Sequence, residues 1–190
     1  MRTNTERRTA LVDAAIELLA ELGARGLTLR AVDARAAVPV GTTSNYFANR
    51  DALLVQAGAR VYQRLQPEDP ALARRIAKAR GREAYTVVMR EVVSRIAEFR
   101  TGFLALLELR LEATRRPGLR ALLTERVRAD LDANVAYHEA SGLPGDATGV
   151  RLLYLALNWL IVDQLTLPDL FSAGERDELV AEAVTRIMAG

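Results

Sequence analysis

Residues 38 to 51 read VPVGTTSNYFANRD and gather small hydrogen-bonding groups between apolar neighbours. Thr42, Thr43 and Ser44 are short hydroxyls, Asn45 carries an amide, and Tyr46 and Arg50 add a phenol and a guanidinium. The stretch holds no nucleophile beside a base. The whole chain has no cysteine, and His138 is its one histidine. Disulfides, thiolate chemistry and cysteine-based metal sites are therefore excluded, and a His-rich metal site or a Ser–His triad is not expected. No phosphate-cradling glycine loop occurs either, so an enzyme is not expected and no cofactor is implied. These side chains can still hydrogen-bond to a partner: short hydroxyls approach base edges or phosphates, an Asn amide pairs bidentately with adenine, and Tyr and Arg suit phosphate oxygens.

Helical segments must hold these groups in place. Hydrophobic residues recur with helical period almost throughout, with no convincing alternating strand, so an all-α fold of about nine helices is expected. Leu11, Ala15, Leu18, Leu19 and Leu22 form one stripe that Gly23 is suited to end. Thr28 is placed to cap a short second helix from Leu29. A third is expected from about Val40 to Phe47 and a fourth after Asn49. The sequence QPEDP, residues 66 to 70, is the strongest break in the chain. Beyond it, Tyr85, Val88, Val92, Ile96 and Phe99 make one helical face, and Phe103, Leu106, Leu107 and Leu111 the next. Pro117 suits the first turn of a long helix through Val135, SGLPGD ends it, and Asp146 offers the next cap. Residues 172 to 175 read SAGE, a capping box that opens a last helix.

The second and third helices are joined by Ala36–Ala37–Val38–Pro39. A helix, a short turn and a helix is the arrangement that presents a recognition helix to the major groove of DNA. Leu29, Val32, Val38 and Phe47 would hold the pair at its angle. Charge helps little. Residues 1 to 50 contain seven arginines against five acids, and the formal net charge of the chain is only +2. Affinity for a polyanion would have to lean on two copies of the chain and on helix N-termini aimed at phosphates.

At this point the residues from about 8 to 54 resemble the DNA-binding domain of the TetR family of bacterial transcriptional regulators. The resemblance rests on Thr28 opening the second helix, Gly41 and Thr42 in the third, Tyr46–Phe47 closing it, and Arg50 followed by Leu53 in the fourth. It implies a DNA-contact set of Thr28, Arg30, Val40, Thr42, Thr43, Ser44, Asn45, Tyr46 and Arg50. Four positions depart from the family pattern. Asp33 stands where a small residue is usual and must find solvent or a partner. Ala37 stands where the turn usually has glycine, and a left-handed residue with a Cβ costs roughly 1 kcal/mol. Pro39 replaces the serine cap of the third helix, and Thr43–Ser44 replace a Leu–Tyr pair.

The expected organisation is a helix-turn-helix domain over 1–50, a connecting helix over 51–66 and a helical ligand-binding and dimerisation domain over 67–190. The segment from Val150 to Val162 is too apolar for a helix with one solvent face. At 13 residues with Arg151 and Asn158 inside, it is also too short for a membrane span, which needs about 20. The N-terminus lacks the apolar run of a signal peptide, and a cytoplasmic protein is expected. The resemblance implies a homodimer formed by the last two helices, with Trp159, Leu160, Val180 and Ile187 as interface candidates. It also implies a small-molecule effector, apolar or amphipathic, in a pocket for which Tyr85, Met89, Phe103, Leu107, Asn134, Tyr154 and Asn158 are candidates. Asn158 could equally bond to a neighbouring backbone or across the dimer. His138 reads as a solvated residue near a helix end, and Glu108 and Glu112 as a surface charge ladder. The function expected is a ligand-responsive repressor on a palindromic operator; the alternative is a helical adaptor that binds protein rather than DNA.

Overall fold

The computed structural model describes residues 4–65, 74, 78, 80–143 and 145–188. Among them are nine helices and no strand: α1 (Asn4–Gly26), α2 (Leu29–Arg35), α3 (Thr42–Tyr46), α4 (Arg50–Leu65), α5 (Gly81–Glu98), α6 (Arg100–Ala113), α7 (Pro117–Ser141), α8 (Ala147–Thr166) and α9 (Ala173–Ile187). The proposed break at residues 66 to 70 lies outside the described residues.

Two compact units form, and their division does not follow the linear order of the chain. The first combines residues up to Gln66 with Phe99–Arg126, so α6 and the start of α7 pack with the N-terminal helices. The second combines Pro67–Glu98 with Val127–Gly190. In the first unit α1 lies against α6, α4 and α2. Its core is Leu11, Ala15, Leu18, Leu19, Leu27, Val32, Phe47, Leu53, Leu54, Ala57 and Val61 with Phe103, Leu106 and Leu109. Gly58 lets α7 come close to α4. A Cβ there would stand 3.3 Å from Leu122 and 3.4 Å from Leu123.

The start of α1's stripe is buried as its period requires, but Leu22 is exposed. One residue later Gly23, at a positive φ of 67°, kinks the helix. The new direction is held by Glu108 of α6, whose carboxylate accepts the Ala24 amide at 2.8 Å. Thr28 caps α2 by accepting the Ala31 amide at 3.0 Å. Asn49 accepts the Ala52 amide at the start of α4 in the same way, at 2.9 Å.

In the second unit α5, α8 and α9 pack on one another. The buried face of α5 is Tyr85, Val88, Val93 and Ala97, so Val92 and Ile96 sit at its margin rather than its centre. Asp146 caps α8 by accepting the Gly149 amide at 2.8 Å. The capping box of α9 forms in both directions between Ser172 and Glu175. One face of α8 is left open. Leu152, Leu155 and Trp159 are exposed, although the helix was expected to be covered on several sides.

Candidate nucleic-acid interface

The turn between α2 and α3 shows how the departures from the family pattern work together. Ala37 adopts φ 52°, the left-handed conformation the turn demands despite its Cβ. The chain then runs through Pro39 and Val40 to Gly41, which is also left-handed at φ 92°. The third helix therefore starts at Thr42, two residues later than its periodicity suggested, and spans Thr42–Tyr46. No side chain at its own start caps it. Asp33 does so from α2. One carboxylate oxygen accepts the Gly41 amide at 2.7 Å, and the other accepts the Thr43 amide at 2.7 Å and the Thr43 hydroxyl at 2.5 Å. Asp33 is only 2% exposed. Burial by itself would raise its carboxyl pKa; the bonds from Thr43 and Gly41 outweigh that and hold it below the usual carboxylate value.

Thr43 was expected on the contact face. Its exposure is 0%, because its hydroxyl points inward to Asp33, and it supports the helix from behind. Asn45, Ser44 and Val40 are exposed, with Thr42 and Tyr46 half-buried beside them. Thr28 and Arg30 are exposed on α2. Behind α3, Arg8 donates to the Tyr46 carbonyl at 3.1 Å and places its guanidinium over the Phe47 ring, 4.6 Å from the centroid. A cleft of about 680 Å³ opens between the first turn of α1 and α3, lined by Asn4, Arg7, Arg8, Thr42, Asn45 and Tyr46 among others.

Arg50 is occupied inside the protein rather than standing free for a phosphate. It donates to the Leu27 carbonyl at 3.0 Å and to the Ala24 carbonyl, and lies 3.7 Å from Glu112. Glu112 in turn accepts from Arg115 at 2.7 Å and Arg116 at 2.8 Å, and Arg116 also pairs with Asp51. Glu112 is buried, so it and Glu108 are not a surface ladder. The Arg116 and Arg115 bonds keep its pKa below the usual range. The roles of Asp33, Arg8 and Glu112 were missed. Unusual charged residues among apolar positions were visible in the sequence, but their partners are up to 62 positions away.

The effector candidates divide between the units. Phe103 and Leu107 belong to the first; Tyr85, Met89, Asn134, Tyr154 and Asn158 belong to the second. Asn134 is exposed, and Asn158 donates to the Tyr154 carbonyl at 2.8 Å, one helical turn back. Tyr85 stacks on Tyr137 at 6.2 Å with the rings 9° from parallel. Burial, with the neighbouring Tyr137, pushes its phenol up to about 12. His138 is buried rather than solvated, set edge-on to Tyr85 at 6.2 Å. Among the interface candidates Trp159 lies on the open face of α8. Leu160 and Val180 are buried in their own unit's core, since each sits on the inward side of its helix, and Ile187 is half-buried. Among the described residues no cluster of three metal-ligating side chains occurs, and no helix is long and apolar enough to cross a membrane.

A helix-turn-helix near the start of an all-helical chain is the arrangement of proteins with a two-helix reading head. Residues 11–57 match the model of bacterial regulatory proteins of the tetR family, and residues 80–190 match that of the tetracyclin repressor-like C-terminal domain. The chain belongs to the TetR family. Among solved structures it is similar to a TetR-family member from Streptomyces coelicolor A3, at 29% identity and a TM-score of 0.71, over 97% of this chain and 99% of that one. It is also similar to the multidrug binding protein EbrR complexed with ethidium, at 29% identity and a TM-score of 0.68, over 97% and 100% of the two chains. A TetR-family regulator from Mesorhizobium loti shares the fold at a TM-score of 0.80 with 14% identity, over 99% and 98% of the two chains. The curated proteins contain no match.

Proposed function

We propose that this protein is a ligand-responsive transcriptional repressor that binds a palindromic DNA operator as a homodimer. The observation that carries the reading is the state of α3: its outer side chains Ser44 and Asn45 are exposed, while Asp33, Thr43, Arg8 and Phe47 fix it from behind. A helix of five residues has no stability of its own, and such bracing makes sense when its outer surface must be presented in one geometry. The proposed contact residues are Thr28, Arg30, Val40, Thr42, Ser44, Asn45 and Tyr46. The open face of α8 supports pairing of two copies, and a palindromic operator would ask two recognition helices to stand about 34 Å apart, one turn of duplex.

The proposed effector is an apolar or amphipathic small molecule. EbrR, 29% identical, is a multidrug binding protein complexed with ethidium, and the stack of buried Tyr85 on Tyr137 in the second unit is an aromatic pair that a planar ring would have to part in order to bind there. Such a ligand would act by binding one of two conformations better than the other and so releasing DNA. The test is selection of genomic fragments by the purified protein, followed by mobility shifts on matched and mismatched sites over a range of salt. A repressor gives a palindromic consensus and an affinity that falls steeply with salt. Weak binding without sequence preference would favour a protein-binding adaptor instead.

A further inference from the structure

At the first turn of α3 the hydroxyls of Thr42, Thr43 and Ser44 and the amides of Gly41, Thr42 and Thr43 are committed to the protein itself. Asp33 takes the Gly41 amide together with the amide and hydroxyl of Thr43. The Thr42 amide donates to the Pro39 carbonyl at 3.1 Å. The Thr42 hydroxyl donates to that same carbonyl at 2.6 Å, and the Ser44 hydroxyl donates to the Gly41 carbonyl at 2.7 Å. A hydroxyl has one proton and two lone pairs. With the proton held inward, Thr42 and Ser44 offer lone pairs to whatever approaches.

A duplex answers this in one way. Phosphate oxygens, guanine O6 and N7 and thymine O4 are acceptors and find no donor in these two side chains. The major-groove groups that can donate are the amino groups of adenine and cytosine, N6 and N4. A phosphate at the start of α3 meets a further obstacle: the buried Asp33 carboxylate already fills the place an anion would take. We infer that Thr42 and Ser44 are specificity-determining acceptors for adenine or cytosine amino groups, and that phosphate anchoring falls to other residues such as Arg7 and Arg30. This inference rests on the DNA-binding reading above.

The experiment uses the full-length protein and the operator obtained by genomic selection. Thr42→Val and Ser44→Ala are each expected to lose about three- to tenfold in affinity, the worth of one neutral hydrogen bond. Each should also stop preferring adenine or cytosine at one position per half-site, with the slope of log affinity against log salt unchanged. Arg7→Ala, by contrast, should make that slope shallower. A second arm leaves the protein untouched. Purine in place of adenine, or 2-pyrimidinone in place of cytosine, at the same position should reproduce the loss for the wild type and add nothing for the variant. Equal losses on every duplex with a shallower salt slope would mean that the hydroxyls turn to phosphates and would overturn the inference, as would full wild-type affinity for the operators carrying purine or 2-pyrimidinone. An operator that binds while neither variant nor analogue has any effect overturns the inference alone. Failure to select any duplex overturns the DNA-binding reading and the inference together.

Discussion

Asp33 carries a full negative charge that is 2% exposed and is answered by three hydrogen-bond donors. Substituting alanine leaves two amides and a hydroxyl without their acceptor in a buried place. Asp33→Ala should therefore cost about 3 kcal/mol of unfolding free energy, with much of operator affinity lost because α3 frays. Asn keeps the shape but cannot accept all three bonds, so Asp33→Asn should fall between. The folded carboxyl titrates below its ordinary value, so its contribution is present above the usual carboxylate range and is lost as pH falls through the lowered pKa. Urea midpoints measured between about pH 6 and pH 2.5 should drop more steeply for the wild type than for Asp33→Asn; parallel curves would show that the charge is not what caps the helix. Ala37 is the opposite kind of residue. At φ 52° its Cβ is a strain that glycine lacks, and Ala37→Gly should raise the unfolding free energy by up to about 1 kcal/mol, read as a higher urea midpoint at unchanged slope.

At the scale of elements, α6 holds the reading head through two carboxylates one turn apart. Glu108 takes the amide exposed by the Gly23 kink, and Glu112 gathers Arg50, Arg115 and Arg116. Gly23→Ala meets two obstacles, a left-handed φ and a Cβ 3.3 Å from the Glu108 carboxylate. It should cost about 1–2 kcal/mol. Gly118→Ala, inside α7 where a Cβ meets nothing within 4 Å, should instead stabilise by up to about 1 kcal/mol, and urea titration of the pair checks the contrast. The same elements show what could be read in advance. Caps at Thr28, Asn49, Asp146 and Ser172 were legible because each bonds within three residues of itself. Periodicity placed most of the core of α1. It failed at Leu22, which is exposed at the end of the stripe just before the glycine kink, and at α3, where two left-handed residues delay the start. Asp33 could be flagged as a charge that must find solvent or a partner, but its burial and its partners Gly41 and Thr43 could not. The joining of α6 to the N-terminal helices, and with it the roles of Glu108 and Glu112, depends on contacts 60 or more positions apart that no local pattern encodes.

For the whole molecule, the question is what covers α8. Leu152, Leu155 and Trp159 follow at spacings of three and four, which puts them on one side of the helix, and Trp159 is 67% exposed. Leu179 of α9 is a further exposed apolar side chain in the same unit. A contiguous apolar face of this kind is unusual on a chain that works alone. If a second copy covers it, Trp159→Arg places a charge at the interface while leaving the unit's own core intact, since the indole contributes little to that core. The variant should sediment as a monomer where the wild type sediments as a dimer, with the same helical circular dichroism. Its loss on DNA should be larger than any single contact explains. Two linked half-sites gain about a hundredfold or more over one, so operator affinity should fall by that order while binding to an isolated half-site is unchanged. A dimeric Trp159→Arg with full operator affinity would place the interface elsewhere. A wild type that is itself monomeric would assign the face to another protein, and would turn the molecule from a paired DNA reader into the adaptor that its modest charge also permits.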